Sequence, residues 1–168
     1  MKIRKAGIHD LTQLGCMYRE IVRHMEHQDI FVWDDVYPLI RFPQDIRDGH
    51  LFLLEDGTGL AAAFALYQEC PADPSLGWKA PEAPALYLAR LGVSPSRMRS
   101  GLGSRALQAA MSLAQAQGAQ WLRLFVVDNN APALAFYAKN GFCQVSGHRT
   151  DDVGTGILCE LGFEISLM

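Results

Sequence analysis

Apolar residues near the start of the chain recur with the period of an α-helix. From position 11 to position 25 they follow one another at steps of three and four, which puts them on one helical face. These residues are Leu11, Leu14, Tyr18, Ile21, Val22 and Met25. Asp10 precedes the run, and we expect its carboxylate to cap the helix by accepting hydrogen bonds from the first backbone amides. A short strand, residues 2–6, is predicted before this helix, and Pro43 marks the start of a second, short helix.

The rest of the chain alternates between strand and helix patterns. The predicted strands are residues 52–55, 60–68, 86–93, 121–127, 142–146 and 157–165, and the predicted helices are residues 104–117 and 131–140. Gly118 and Gly141 end these two helices, because glycine readily adopts the left-handed conformation that closes a helix. This order predicts a single α/β domain, residues 1–168, with a mixed central sheet of about six to seven strands flanked by about four helices. Residues 86–127 should form a right-handed parallel crossover.

Composition and charge argue against several classes of partner. The chain has 168 residues, of which 49% are hydrophobic and 20% charged, and its net charge is −3. Proteins that bind nucleic acids present a basic face to the phosphates, so no nucleic-acid partner is expected. The longest nearly apolar stretch, residues 59–67, is too short to span a bilayer, and residues 1–7 lack the apolar segment of a secretion signal. We therefore expect a cytoplasmic protein without membrane association.

The four cysteines carry no metal or redox motif. None of Cys16, Cys70, Cys143 and Cys159 belongs to a C-x-x-C pair, so we expect them to be small buried residues in a reducing compartment. His24, Glu26 and His27 form a local cluster, but they are expected to decorate the solvent side of a helix end. No metal is predicted.

A glycine-rich turn between residues 93 and 105 carries the strongest chemical signal. It leads from a predicted strand into an amphipathic helix whose apolar face holds Leu107, Ala110, Met111 and Ala114. A helix begins with backbone amides that lack partners and with the positive end of its dipole, and glycines let an anion approach that backbone closely. Three arginines add positive charge: Arg97, Arg99 and Arg105. The turn predicts a phosphate or pyrophosphate ligand, and a tight turn with strain-relieving glycines is the alternative interpretation.

A second informative segment is residues 130–142. Asn130 stands at the cap position of a helix, Ala133 and Tyr137 lie one turn apart on one face, and Gly141 follows the last turn. Without further context, this segment is equally consistent with a capped amphipathic helix that buries a tyrosine.

Taken together, the two segments resemble the GNAT acetyltransferases. The family's helix signature is N-x-x-A-x-x-x-Y-x-K-x-G-F, and all six fixed positions are matched by Asn130, Ala133, Tyr137, Lys139, Gly141 and Phe142. The family's loop signature is Q/R-x-x-G-x-G/A, which Gly101 and Gly103 match. Met98 occupies the Gln/Arg position, which removes one side-chain contact. The resemblance is at the level of motifs from about residue 86 to residue 142, and it covers the whole chain in the order of elements.

The resemblance implies acetyl-coenzyme A as cosubstrate, without a metal. Its pyrophosphate would lie on the backbone amides of Arg99, Ser100, Gly101, Leu102, Gly103 and Ser104, and its pantetheine along Leu91, Gly92 and Val93. Met98, Asn130 and Ala133 are further expected coenzyme contacts. Tyr137 matches the family's general acid, because its phenol is protonated at neutral pH. A backbone amide near Gly92 or Val93 would stabilise the oxyanion formed when the amine attacks.

The acceptor side is less defined. Residues 31–38 resemble the W-x-x-x-Y-P segment of a GNAT subgroup, in which Trp33 and Tyr37 would line an amine pocket and Asp34 or Asp35 would attract a cation. Both aromatic residues fit a core position equally well. Arg90 would hold structure or orient the substrate. The strand at residues 86–93 lacks the carboxylate that many members use as a general base, and Glu69 and His24 are weak candidates for that role.

The predicted function is transfer of an acetyl group from acetyl-coenzyme A to a primary amine, by direct transfer. The acceptor is a small molecule or a peptide amine, and the oligomeric state, including a homodimer, is left open. The alternative is a non-catalytic module that binds an acyl-coenzyme A and regulates. Retention of Tyr137 favours the enzyme, whereas the missing base and Met98 keep the alternative open.

Overall fold

Eight strands and four α-helices make up the part of the chain that the computed structural model describes, residues 1–68, 75–152 and 156–168. Residues 1–66 and 88–110 form one compact unit, and residues 67–87 and 111–168 form a second. The strands are β1 (Lys2–Lys5), β2 (Leu51–Asp56), β3 (Gly59–Tyr67), β4 (Ala85–Val93), β5 (Trp121–Val127), β6 (Cys143–Gln144), β7 (Arg149–Asp152) and β8 (Ile157–Ser166). The helices are α1 (Leu11–Glu26), α2 (Phe42–Arg47), α3 (Leu102–Ala116) and α4 (Ala131–Lys139). The predicted α/β fold is confirmed, with eight strands where about six to seven were expected.

In the first unit the sheet neighbours run in the order β1-β2-β3-β4. β1 pairs antiparallel with β2, placing Lys2 opposite Glu55, and β2 pairs antiparallel with β3, with a bulge between Leu54 and Glu55. The predicted apolar face of α1 is buried at its centre, where Leu14, Tyr18, Ile21 and Val22 are at most 4% exposed. β2 and β3 are buried over nearly their whole length, so their near-continuous apolar sequences reflect burial of both sheet faces.

In the second unit β8 lies between β5 and β6 and pairs with both. The first residues of β8, 157–160, also pair with β7. β5 and β8 are antiparallel, with Trp121 opposite Ser166. Leu122, Leu124 and Val126 point to one face of β5 and are buried. On the opposite face Arg123 pairs with Glu164 at 3.3 Å, and both side chains are almost fully buried. This ion pair holds the segment before β4, because Arg123 donates to Ala80 O and Glu164 accepts from the Lys79 amide.

Both predicted glycine helix ends are present. At the end of α4 the Gly141 amide donates to Ala138 O and the Phe142 amide to Tyr137 O, each at 3.1 Å. At the end of α3 the Gly118 amide donates to Gln115 O, and Ala119 donates to Ala114 O. These are the two bonds of a Schellman motif, which needs a left-handed residue at the position of the glycine. The φ angles of Gly118 and Gly141 are 86° and 88°.

Three expectations from the sequence are wrong in detail. Asp10 stands at the N-cap of α1 but does not cap it; its carboxylate binds Arg4 and the Gly7 amide instead. Cys16 and Cys143 are exposed rather than buried, and Cys159 is half-buried, whereas Cys70 lies outside the described residues. β7 was not predicted at all. Among the described residues, no helix is both long and apolar enough to cross a bilayer.

Candidate functional site

The segment between β4 and α3 is a tight turn in the first unit. Its first part, Pro95–Arg97, is a 3-10 helix closed by hydrogen bonds from Arg97 N to Ser94 O and from Met98 N to Pro95 O. The Arg97 guanidinium pairs with Asp56 and donates to Thr58 Oγ1, so this arginine ties the turn to the β2–β3 hairpin. Of the three arginines around the turn, Arg99 and Arg105 have exposed side chains.

The second part of the turn combines two left-handed residues with a row of consecutive backbone amides. Arg99 and Gly101 have left-handed φ angles of 61° and 77°. A Cβ on Gly101 would meet nothing within 4 Å, so the glycine is favoured by its backbone conformation and not by crowding. The helical ladder begins only with Arg105 N, which donates to Gly101 O. Within the part of the chain that the structure describes, no group accepts from the amides of Arg99 to Ser104.

These six consecutive amides suit an anion. They lie at the positive end of the 15-residue helix α3, and no acidic residue is in its first turn. The exposed Arg99 and Arg105 side chains add positive charge next to them. Met98 is 38% exposed and offers no polar group, so the backbone supplies the hydrogen-bond donors here. The residues present therefore fit a pyrophosphate group.

Strand β4 is irregular where the sequence predicts the pantetheine contacts. Arg90 has a left-handed φ of 53°, which breaks the regular extended conformation three residues before Val93. Its side chain is only 6% exposed and donates to Asp45 of α2 at 2.6 Å. This buried ion pair favours a structural role for Arg90 over direct contact with a substrate. Leu91 and Val93 are half-buried, and Gly92 is buried.

The aromatic loop, residues 31–38, has one anchored and one exposed side. The ring of Trp33 is half-buried and packs against Tyr18, with centroids 5.6 Å apart. Tyr37 is 39% exposed. Asp34 Oδ1 accepts hydrogen bonds from the amides of Val36 and Tyr37, at 2.8 and 2.7 Å, so this carboxylate shapes the turn that presents Tyr37. Asp34 and Asp35 are both exposed, so a cation can approach either acid.

Tyr137 lies in α4, in the second unit. Asn130 caps this helix by accepting a hydrogen bond from Ala133 N at 3.3 Å, as the spacing predicted. The half-buried Tyr137 ring contacts Phe136 and Phe142 edge-on. Burial raises the pKa of the phenol above its usual value, so the group is neutral at physiological pH. No hydrogen bond to this hydroxyl comes from the described residues, which leaves it able to donate to a ligand.

The remaining candidates are dispersed. His24 is half-buried near the end of α1, His27 is exposed, and Glu69 lies outside the described residues. Among the described side chains, no group of three His, Cys, Asp or Glu residues is placed to hold a metal. Sequence reasoning assigned Tyr18 only to the buried face of α1 and gave no role to Asp45. Both meet β4 through long-range contacts, for which the sequence carries no local signal.

Comparisons with known proteins identify the family and the fold. The model of the acetyltransferase (GNAT) family matches residues 16–142. Mycothiol acetyltransferase from Clavibacter michiganensis is 46% identical over 52 residues, a match that covers 31% of this chain and only 17% of that protein.

Solved structures share the fold over nearly the whole chain. A GNAT-family acetyltransferase from Streptococcus agalactiae superimposes with a TM-score of 0.80 and 17% identity, covering 98% of this chain and 94% of that one. A GNAT-family acetyltransferase from Listeria monocytogenes superimposes with a TM-score of 0.73 and 19% identity, covering 98% of this chain and 94% of that one. The ribosomal-protein-S18-alanine N-acetyltransferase from Escherichia coli superimposes with a TM-score of 0.66 and 20% identity, covering 99% of this chain and 93% of that one. The fold, the two motifs and the family match lead to one conclusion: this chain belongs to the GNAT acetyltransferase family of enzymes.

Proposed function

We propose that this protein transfers the acetyl group of acetyl-coenzyme A directly to a primary amine. The observation that carries the proposal is the row of six consecutive amides from Arg99 to Ser104, at the start of α3, for which no described residue supplies an acceptor. A diphosphate can accept several of these donors at once, next to the exposed cations of Arg99 and Arg105. Leu91, Gly92 and Val93 then offer backbone groups to the pantetheine amides, and Met98, Asn130 and Ala133 complete the expected contacts.

The proposed chemistry is one nucleophilic substitution at the thioester carbonyl. The neutral amine attacks the carbonyl carbon, a C–N bond forms, and the C–S bond breaks as the thiolate leaves. Tyr137 donates its phenolic proton to the departing sulfur, a role that suits a neutral hydroxyl whose pKa is raised by burial. The amine must lose its own proton to solvent or to a base, for which Glu69 and His24 remain the candidates. Activity should therefore climb with pH over the range in which the amine is deprotonated.

The proposed acceptor wall is formed by Trp33 and Tyr37. Trp33 is anchored on Tyr18, whereas Tyr37 is exposed and held in place by the Asp34 turn. Aromatic faces with the exposed Asp35 nearby favour a cationic or amphipathic amine over an acidic one. Arg90 is buried in its ion pair with Asp45, which favours a structural role over contact with the amine. A small-molecule amine and a peptide amine both remain within this class.

The first experiment measures thermal stabilisation by acetyl-coenzyme A. A ligand that binds only the native state stabilises it by about 2.7 kcal/mol at a hundredfold excess over its dissociation constant. Gly103→Asp should abolish the effect, because a carboxylate would meet the diphosphate. Gln108→Glu is the matched control: it adds the same charge on an exposed position of α3 more than one turn further along. Absence of any shift with the unaltered protein would refute the proposal.

Acetyl-coenzyme A consumption over a panel of amines then separates the enzyme from its alternative. Turnover with any amine supports acetyl transfer. A thermal shift without turnover across the whole panel would favour the non-catalytic acyl-coenzyme A-binding module instead, and would leave Tyr137 without a chemical role.

A further inference from the structure

The side chain of Tyr18 reaches from α1 into the sheet of the first unit. It is fully buried, and its hydroxyl lies 2.6 Å from Arg90 O and 3.2 Å from Ala63 O. Two backbone carbonyls from neighbouring strands thus converge on one phenol. The ring is held from its sides by Phe42, at 4.8 Å between centroids, and by Trp33.

The hydroxyl bridges two neighbouring strands, β3 and β4. It lies 3.2 Å from Ala63 O on β3 and 2.6 Å from Arg90 O on β4. Just past the end of β4, Ser94 N donates to Ala61 O at 3.0 Å. The phenol thus stands beside the point where β4 meets β3, and it packs against Gly92.

Two neighbouring features depend on the same phenol. A Cβ on Gly92 would lie 2.7 Å from Tyr18 Cζ and 2.8 Å from its hydroxyl oxygen, so any larger residue at this position must displace the phenol. Arg90, whose carbonyl accepts from Tyr18, has the left-handed φ of 53°. A non-glycine residue in this conformation is strained and persists only where its surroundings hold it. Tyr18 from one side and Asp45 from the other provide that hold.

We propose that Tyr18 is a positioning residue for acetyl transfer, which fixes the bulge of β4 at Arg90–Gly92 and thereby aims the backbone of Leu91 and Val93. Successive residues of a strand direct their N–H and C=O groups to opposite edges. Because Ser94 N faces Ala61 O of β3, this alternation turns the groups of Leu91 and Val93 away from β3. This inference rests on the proposed function, in which those groups contact the acylated arm of the coenzyme. A misdirected amide affects the transition state more than it affects binding of the distant diphosphate.

Tyr18→Phe removes the hydroxyl and keeps the ring. We expect the turnover number at saturating substrates to fall at least about tenfold, while the dissociation constant for coenzyme A changes less than about twofold. Tyr87→Phe, which removes another half-buried phenol, is the control and should leave both quantities unchanged. In the same variant, hydrogen exchange at the Gly92 amide should accelerate about tenfold or more, because the hydroxyl that ties this stretch of β4 to α1 through Arg90 O is gone. Gly92→Ala reaches the same contact from the strand side, since its Cβ must displace the phenol.

Each result decides the inference. Slower turnover together with faster Gly92 exchange supports it. Unchanged turnover in Tyr18→Phe, or a fall in both turnover and coenzyme A affinity that Tyr87→Phe reproduces, overturns it. If Tyr18→Phe does not fold, Gly92→Ala must lower turnover without weakening coenzyme A binding, and the inference fails otherwise. An unaltered protein that neither binds coenzyme A nor acetylates any amine refutes the proposed function. Unchanged Gly92 exchange refutes the bridging role of Tyr18 separately.

Discussion

The ion-pair cluster around Arg4 should make the stability of the fold depend on pH in a way that one substitution can isolate. The Arg4 guanidinium bonds both oxygens of Asp10 at 2.7 Å and both oxygens of Glu55, at 2.9 and 2.6 Å. The hydrogen bonds from Arg4, with a further bond from the Gly7 amide, lower the pKa of Asp10 from 3.8 to about 2, against the opposing effect of burial. The side chain of Asp10 is only 5% exposed, so solvent screens this interaction little.

The size of the effect follows from that pKa. At about 1.4 kcal/mol per pKa unit, a fall from 3.8 to about 2 corresponds to about 2–3 kcal/mol of stabilisation by the charged Asp10. Because the pKa is lower in the folded state, this stabilisation is fully present above about pH 4. It is lost as the pH falls from about 4 to about 2. Arg4 also lowers the pKa of Glu55, which adds a change of the same sign.

Urea unfolding of Asp10→Asn against the unaltered protein tests this reasoning. We expect the variant to be less stable by about 2–3 kcal/mol at neutral pH, and the difference between the two proteins to shrink as the solution is acidified below about pH 4. Glu20→Gln, which removes an exposed acid of α1, is the matched control. A difference that stays constant with pH, or an Asp10→Asn variant as stable as Glu20→Gln at neutral pH, would refute the electrostatic account.

Two further substitutions test the proposed chemistry. Tyr137→Phe should lower turnover by roughly 10- to 1000-fold with little change in acetyl-coenzyme A binding; unchanged turnover where chemistry limits the rate would make Tyr137 a packing residue only. Trp33→Ala should raise the Michaelis constant for the amine and leave that for acetyl-coenzyme A nearly unchanged, with Phe31→Ala, a neighbouring aromatic residue that is 68% exposed, as control. A lower melting temperature with unaltered amine kinetics would instead place Trp33 in the core, where truncation costs about 3–5 kcal/mol.

Local patterns predicted the regular parts of this molecule. The apolar face of α1, the Asn130 cap and the glycines that end α3 and α4 each depend on residues within one or two turns. β7 escaped prediction because its sequence, Arg-Thr-Asp-Asp, is polar; it is a strand through its pairing with β8. Asp10 was predicted correctly at the start of α1, but its carboxylate accepts hydrogen bonds from Arg4 instead of capping the helix. Pairing of β1 with β2 brings Arg4 beside Glu55, which the sequence did not indicate.

The candidate site depends on long-range contacts, which local sequence patterns do not reveal. The sequence of β4 reads as an uninterrupted strand, since nothing at Arg90 itself signals a left-handed φ. That conformation is held by Tyr18, which is 72 residues away in sequence, and by Asp45, which is 45 residues away. The preference for glycine at position 92 also has a long-range cause, because a Cβ there would collide with the Tyr18 phenol. The turn before α3 was more accessible to prediction, because its candidate donors are consecutive backbone amides.

Each of the two units contains a buried arginine paired with a carboxylate, and the location of these pairs suggests why they are retained. Burying two charges costs desolvation energy that the attraction between them often fails to recover, so such pairs are weak evidence for stability alone. What these ion pairs supply is a defined orientation of the elements that carry the two charges. Asp45 and Phe42 both belong to α2: Asp45 pairs with Arg90, and Phe42 packs on Tyr18. An apolar contact could slide at this point; a 2.6 Å hydrogen bond between buried charges cannot. The ion pair between Arg90 and Asp45 thus fixes α2, and Phe42 of α2 supports the Tyr18 ring. The Tyr18 hydroxyl in turn binds Arg90 O of β4. We expect the geometry of acetyl transfer to depend on all three contacts.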